Sequence, residues 1–237
     1  MCVDAKQLSQ RLATVGSFVK PGARVADIGS DHAYLPANLA LNQRISWGVA
    51  GEVVKGPFEN ARHEIRKLGL EEHLEARLAD GLAAIEPQDR IDTVTIAGMG
   101  GPLIRHILEA NPTRLAGVTR LVLEPNVGEA TVREWLVANH FKITAERILS
   151  EDNHTYEVIC ADKTDDPFHY SEAELLFGPY LLVERSTVFV KKWQRELQRT
   201  ERAVTQMQQA KVAPAAHLTA AHAKINLIKG VLADVGK

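Results

Sequence analysis

Apolar residues along the chain gather into short runs rich in β-branched side chains, separated by segments of helical length. The runs are RVADIG (24–29), SWGVAG (46–51), LEARLA (74–79), DTVTIAG (92–98), RLVLEP (120–125), KITAERIL (142–149) and YEVICAD (156–162). Between them, residues 33–43, 54–68, 101–110 and 127–139 have the length expected of helices. Near-continuous apolar strands alternating with helices predict a mostly parallel sheet covered on both faces. Only EDNHT separates the last two runs, which leaves no room for a helix, so a hairpin there makes the final strand antiparallel. The predicted class is α/β.

Two flanking regions complete the pattern. Leu8, Leu12, Val15 and Phe18 sit at helical spacing and predict an amphipathic leading helix. After Asp162 the polar, turn-like stretch TDDPFHY marks a boundary, dividing the chain into residues 1–165 and 166–237. Beyond it, Val190, Trp193, Leu197, Val204 and Met207 form one heptad-like stripe. Leu218, Ala221, Ile225, Ile228 and Leu232 form a second, past the break KVAP (211–214). Two such stripes joined by a short break predict an antiparallel, coiled-coil-like helical hairpin. Because the elements of the sheet end by Asp162, cutting the chain near Ser171 is expected to expose little core.

Composition narrows the setting. The 237 residues are 45% hydrophobic and 24% charged, ordinary values for a globular protein. No window approaches eighteen consecutive apolar residues, so no membrane span is expected. The start, MCVDAKQLSQRL, is too polar for a signal-peptide core, and a cytoplasmic protein is expected. Cys2 and Cys160 lack metal-ligand spacing, so neither a metal site nor a disulfide framework is expected. The net charge of −2 is unevenly spread: residues 171–237 carry ten Lys/Arg against six Asp/Glu, and the preceding 170 carry 18 against 24. On charge alone a solvated helical face is the simpler explanation, and an anionic partner for the tail is the other.

The candidate chemistry lies at the strand ends, where open α/β sheets bind ligands. A pyrophosphate there needs successive glycines for close backbone approach. VADIGSDHAYLP (25–36) instead places Asp31 and Tyr34 where those glycines belong. A carboxylate in that turn repels pyrophosphate and disfavours NAD. It suits S-adenosylmethionine, whose sulfonium and ammonium outweigh its one carboxylate. Asp27 and Asp31 flank the loop, Glu52 follows the second strand, where a carboxylate takes a ribose diol, and Asp80 follows the third. Each acid taken alone reads as a helix cap or a surface acid; the set at consecutive strand ends suits a cationic nucleoside. AGMGG (97–101) is either a tight turn or bare backbone for a planar ligand. In EPN (124–126), Pro125 suits a turn and Asn126 an N-cap, and EDNHTYE (151–157) reads as a hairpin.

Together LSQRL (8–12), ADIGSDHAYLP (26–36), AGEVVKGP (50–57), ADGL (79–82), AGMGG, LEPN (123–126) and EDNHTYE resemble the bacterial tRNA (adenine(22)-N(1))-methyltransferases. The likeness covers roughly residues 5 to 162 in order, and the helical hairpin is similar to that family's C-terminal domain. It departs at Glu124, where the family pattern has glutamine, and at Asn153-His154. The resemblance implies a Rossmann-like class I methyltransferase fold, with S-adenosylmethionine as cofactor and N1 of an adenine in tRNA as target. By position it implies a cofactor set of Asp27, Gly29, Ser30, Asp31, His32, Glu52, Val53, Asp80, Gly81 and Ala97, completed by Gly98, Met99 and Gly100 as the floor between cofactor and target base.

N1 of adenine has an in-plane lone pair and needs no deprotonation, while the methylated ring is cationic. A nearby carboxylate therefore stabilises the transition state, and Asp31 is the candidate, with Tyr34 to stack or orient and Asn126 completing the catalytic set. N1 lies on the Watson–Crick edge, so the base must first be exposed or flipped out. Arg11 at the front and Lys191, Lys192, Arg195, Arg199 and Arg202 on the hairpin, the last five off the apolar stripe, are the candidates for gripping tRNA phosphates. A monomer is expected. The rival readings are a small-molecule methyltransferase with the same cofactor site and a non-catalytic RNA-binding module.

Overall fold

The computed structural model describes residues 4–209 and 215–233, which leaves Cys2 and the KVAP break outside the described residues. Strands β1 (Ala23–Ile28), β2 (Ile45–Glu52), β3 (Leu74–Leu78), β4 (Thr93–Gly100), β5 (Arg120–Val127), β6 (Phe141–Glu151) and β7 (His154–Lys163) form one sheet of order β3-β2-β1-β4-β5-β7-β6. Strands β1 to β5 are parallel, and β7 runs antiparallel to both β5 and β6. The hairpin closes through Asp152 and Asn153, both left-handed at φ 48° and 63°, the geometry that matches strand twist in a two-residue turn. This is the α/β architecture that the apolar runs predict.

The leading helix is α1 (Gln10–Ser17), and α2 (Tyr34–Leu41), α3 (Lys55–Lys67), α4 (Gly101–Ala110) and α5 (Glu129–Ala138) fill the crossovers. Alternate residues of each strand face opposite ways. Ala26, Ile28, Val94, Ile96, Leu121 and Leu123 pack beneath Ile104, Leu108, Trp135 and Leu136 of α4 and α5. Val25, Val122, Val158 and Cys160 pack on the other face against Val15, Leu35, Leu39 and Ile65. The first strand thus belongs to both cores and its carboxyl end is fixed from both sides.

Past the boundary, α6 (Glu172–Phe177) and α7 (Pro179–Glu184) precede the hairpin α8 (Thr187–Gln208) and α9 (Ala215–Ala233). Phe189 and Trp193, early in α8, pack with Ile228, Val231 and Leu232, late in α9, so the two helices are antiparallel. The stripe residues Trp193, Val204, Ile225 and Ile228 are buried. The expectation that a cut near Ser171 exposes little core is corrected here. Ile148 of β6 packs into the third core, with Phe177, Leu181, Phe189 and Trp193. Buried Arg133 of α5 donates to Glu146 Oε1 at 2.8 Å, to Glu157 Oε2 at 2.5 Å, and to the carbonyls of Leu175 and Leu176 at 3.3 Å each. Glu146 Oε2 accepts the N–H of Tyr180 at 3.0 Å. Gly178, at φ +88°, permits this join: a Cβ there lies 2.6 Å from both Glu146 carboxylate oxygens. The C-terminal helices therefore complete the hydrogen bonding of a charge buried behind the sheet.

Candidate cofactor and target-base site

The site grows from the carboxyl end of β1. Gly29 turns the chain at φ +72°, and a Cβ there would overlap the terminal methyl of Met99. The N–H groups of Gly29 and Ser30 donate to Gly51 O at 2.9 and 3.3 Å, pinning the loop to β2. Asp27 does not project freely. It is 4% exposed and accepts from Ser30 Oγ at 2.5 Å and Thr95 Oγ1 at 2.6 Å. Burial pushes its pKa up, against the lowering effect of both hydroxyls. Glu52, also buried, accepts the N–H of Asp31, and burial raises its pKa too.

Held that way, Asp31 is left-handed (φ 54°) and turns its own carboxylate outward, with the side chain 72% exposed. His32 places Nε2 3.7 Å from Asp31 Oδ1 and stacks on Tyr34 with centroids 5.0 Å apart. These residues open onto a cleft of about 250 Å³ lined by Arg11, Asp27, Gly29, Ser30, Asp31, His32, Tyr34, Ala97 and Gly98, with Leu12 and Leu35. Glu52, Val53, Asp80, Gly81, Met99, Gly100 and Asn126 are not part of that lining. Val53 (62% exposed), Val54 and Leu78 stand exposed at the ends of β2 and β3, beside exposed Asp80.

The glycine-rich segment is the second wall. Register shifts on both sides of Met99 and φ +78° at Gly98 bulge the end of β4, which stays paired with β5 as far as Gly100 and Val127. Gly98 donates its N–H to Glu124 Oε2 at 2.8 Å and accepts from Asn126 Nδ2 at 2.7 Å. Asn126 is therefore not the helix cap its sequence context suggests. Strand β5 continues through it to Val127, and Gly128 caps α5.

Arg11 is also displaced from its expected role on an outer RNA face. It lines the cleft, donates to Glu124 Oε2 at 2.6 Å and lies over the Tyr156 ring at 5.4 Å. Glu151 fixes the start of α1 by accepting the N–H groups of Gln10 and Arg11 at 2.7 and 3.0 Å. On the hairpin, Lys191, Arg195, Arg199 and Arg202 are exposed. Lys192 is not available to phosphate. It is bound by Glu129 and, at 2.7 Å, by Glu157, with its side chain only 18% exposed.

Sequence reading missed Thr95, the partner of Asp27, although a hydroxyl inside an apolar strand beside an acid-bearing strand is a usable signal; the two residues sit in register across β1 and β4. It also gave no role to Glu124, which is fully buried, with Oε1 lacking a hydrogen-bond partner among the described residues. Burial raises the Glu124 pKa although Arg11 opposes it. Such a group stabilises the fold below its ordinary value of 4.5 and loses that contribution as pH rises through the raised folded value. Glu124→Gln keeps an acceptor for Arg11 and removes the titration. Its stability relative to the parent should therefore improve as pH rises through that window, measured by urea unfolding; a pH-independent difference would contradict the assignment.

A family model described as tRNA (adenine(22)-N(1))-methyltransferase matches residues 25–230. The chain belongs to this family. A tRNA (adenine(22)-N(1))-methyltransferase of Bacillus subtilis (strain 168) is 45% identical over 208 residues, 86% of this chain and 87% of that protein. The crystal structure of the B. subtilis M1A22 tRNA methyltransferase superposes with TM-score 0.89 at 41% identity, covering 96% of this chain and 99% of that one. A Streptococcus pneumoniae putative tRNA (m1A22) methyltransferase in complex with S-adenosyl-L-methionine gives TM-score 0.85 at 42% identity, covering 94% and 99%. The fold class read from the strand pattern, and the family read from the loop motifs, agree with these findings. No helix among the described residues is long and apolar enough to cross a membrane, and no group of three or more His, Cys, Asp or Glu among them is arranged to hold a metal ion.

Proposed function

We propose that this protein transfers a methyl group from S-adenosylmethionine to N1 of an adenine in tRNA, at position 22 of the D-loop. The observation that carries the reading is the acid-lined cleft at the end of β1, in a chain of this family. Asp27 and Asp31 line the cleft with Glu52 directly behind, and the turn after β1 offers Gly29 followed by Ser30 and Asp31 in place of the successive glycines that cradle a pyrophosphate. That donor set fits a cationic nucleoside and is wrong for NAD.

When bound, S-adenosylmethionine supplies an electrophilic methyl group. The protein's part is to hold and orient. Gly29, Ser30, His32, Ala97 and Gly98 shape the cleft, while Glu52, Val53, Asp80 and Gly81 serve the nucleoside along the ends of β2 and β3. Gly98, Met99 and Gly100 present bare backbone to the target base, and Asn126 keeps that backbone in place through Gly98 O. Asp31, the most exposed acid of the cleft, offsets the positive charge that develops on the adenine ring. Tyr34 orients the base. Asp31→Ala should lower kcat by more than it lowers cofactor or tRNA affinity. A proportional loss of cofactor binding would make Asp31 a cofactor ligand only.

Residues 1–165 form the catalytic unit in this reading, and 166–237 the tRNA-binding one, in a monomer acting in the cytoplasm. Lys191, Arg195, Arg199 and Arg202 pair with backbone phosphates. Reversing Lys191 and Arg195 to Glu should weaken tRNA binding and flatten its salt dependence by about 0.7–0.9 in log–log slope for each phosphate no longer neutralised. An unchanged slope would assign the hairpin to a protein partner instead.

A further inference from the structure

Lys192 lies on the same turn of α8 as the exposed cations Lys191 and Arg195, yet it points into the protein. Its ammonium is held by Glu157 Oε1 at 2.7 Å and by Glu129, while the other oxygen of Glu157 is taken by Arg133. Glu129 is the first residue of α5, and its side chain is 19% exposed. Immediately before it run the last residues of β5, Pro125 to Val127, and the cap Gly128 that turns the chain into α5. This segment touches the glycine-rich wall twice: Asn126 Nδ2 donates to Gly98 O at 2.7 Å, and the backbone of Gly128 lies so close to Gly101 that no Cβ fits between them. A shift of Glu129 is thus passed to Gly98–Gly101 through one hydrogen bond and one backbone contact.

We propose that Lys192 is a positioning residue that clamps the turn after β5 to α8, so that tRNA held on the outer face of α8 and the target-base wall keep a fixed register. The assignment rests on the function proposed above. It also explains why one lysine of a basic helix is withdrawn from solvent and given two carboxylates from different elements. A lysine serving stability alone would answer the charge of Glu157, which Arg133 already binds, without reaching Glu129.

The test compares Lys192→Met, Lys192→Arg and Glu129→Gln in the full-length chain. Lys192→Met and Glu129→Gln should each lower kcat for tRNA methylation about tenfold or more, the scale of a misplaced reacting group. Affinities for S-adenosylmethionine and tRNA should stay within about twofold in both. Lys192→Arg, whose fork reaches both carboxylates, should recover most of the rate. Amide hydrogen exchange should quicken at residues 97–101 and 126–129 in Lys192→Met and Glu129→Gln but not in Lys192→Arg. If Lys192→Met does not fold, Glu129→Gln carries the test, because it leaves the bond to Glu157 intact. Unchanged kcat and exchange in folded variants would make Lys192 purely structural, and weakened tRNA affinity at unchanged kcat would make it a phosphate ligand; either overturns the proposal. A parent protein that methylates no tRNA would refute the function, and the exchange data would still decide the clamp.

Discussion

Arg133→Ala is expected to remove about 3–5 kcal/mol of stability, the usual cost of taking one partner from a buried ion pair. Against a typical total of about 5–15 kcal/mol, that brings the protein close to unfolding. Glu146 and Glu157 would then face each other at 0% and 1% side-chain exposure, Glu157 keeping Lys192 and Glu146 keeping the N–H of Tyr180. The carbonyls of Leu175 and Leu176 would lose their donor, loosening α6 from α5. Burial already raises the Glu146 pKa, and Arg133, with the N–H of Tyr180 behind it, opposes that rise. Without the arginine the folded value rises further, and a raised folded pKa means stability that is present at low pH and lost as pH rises. The deficit of Arg133→Ala should therefore shrink as pH falls from neutrality toward 4.5, the ordinary value of the carboxyl. Urea unfolding across that range measures it. A deficit under about 1 kcal/mol, the level of an exposed pair, would mean the network is effectively solvated.

Glu52→Ala should weaken S-adenosylmethionine binding about 10- to 100-fold while the protein stays folded. Glu52 acts in two ways in the proposed function. There its carboxylate, at the end of β2, takes a ribose hydroxyl, a charge-assisted hydrogen bond worth roughly 1.5–3 kcal/mol. It also accepts the N–H of Asp31, holding a non-glycine residue at φ 54°. Removing it frees the loop to leave that conformation, so the cleft loses shape as well as a ligand. Calorimetry gives the affinity and thermal unfolding the control. Equal affinity for parent and variant would place the ribose elsewhere.

The seven strands and their hairpin were legible because each is a local apolar run bounded by turn residues, and the loop motifs were legible because their chemistry is contiguous. What escaped was set by distant contacts or by elements too short to show a period. Helices α6 and α7 have six residues each and are split by Gly178, so neither completes two turns of pattern. Strand β5 runs through Pro125 because a register shift opposite Met99 absorbs the missing N–H, which a proline reads locally as a stop. Lys192 looked like its neighbours because an apolar stripe tells which residues face the partner helix and nothing of what else surrounds α8. Its carboxylates lie 63 and 35 residues away in the chain. Arg11 was misplaced for the same reason, since Glu124 is 113 residues distant.

The function is tested most directly on tRNA itself. The full-length protein is incubated with unmodified tRNA carrying adenine at position 22 and with S-adenosylmethionine labelled in its methyl group; the RNA is then digested and its nucleosides are separated by mass spectrometry. The expected result is labelled 1-methyladenosine that disappears when adenine 22 of the tRNA is replaced by guanine and falls sharply with Asp31→Ala. Label in another nucleoside, or none in tRNA while the protein still binds S-adenosylmethionine, would contradict it.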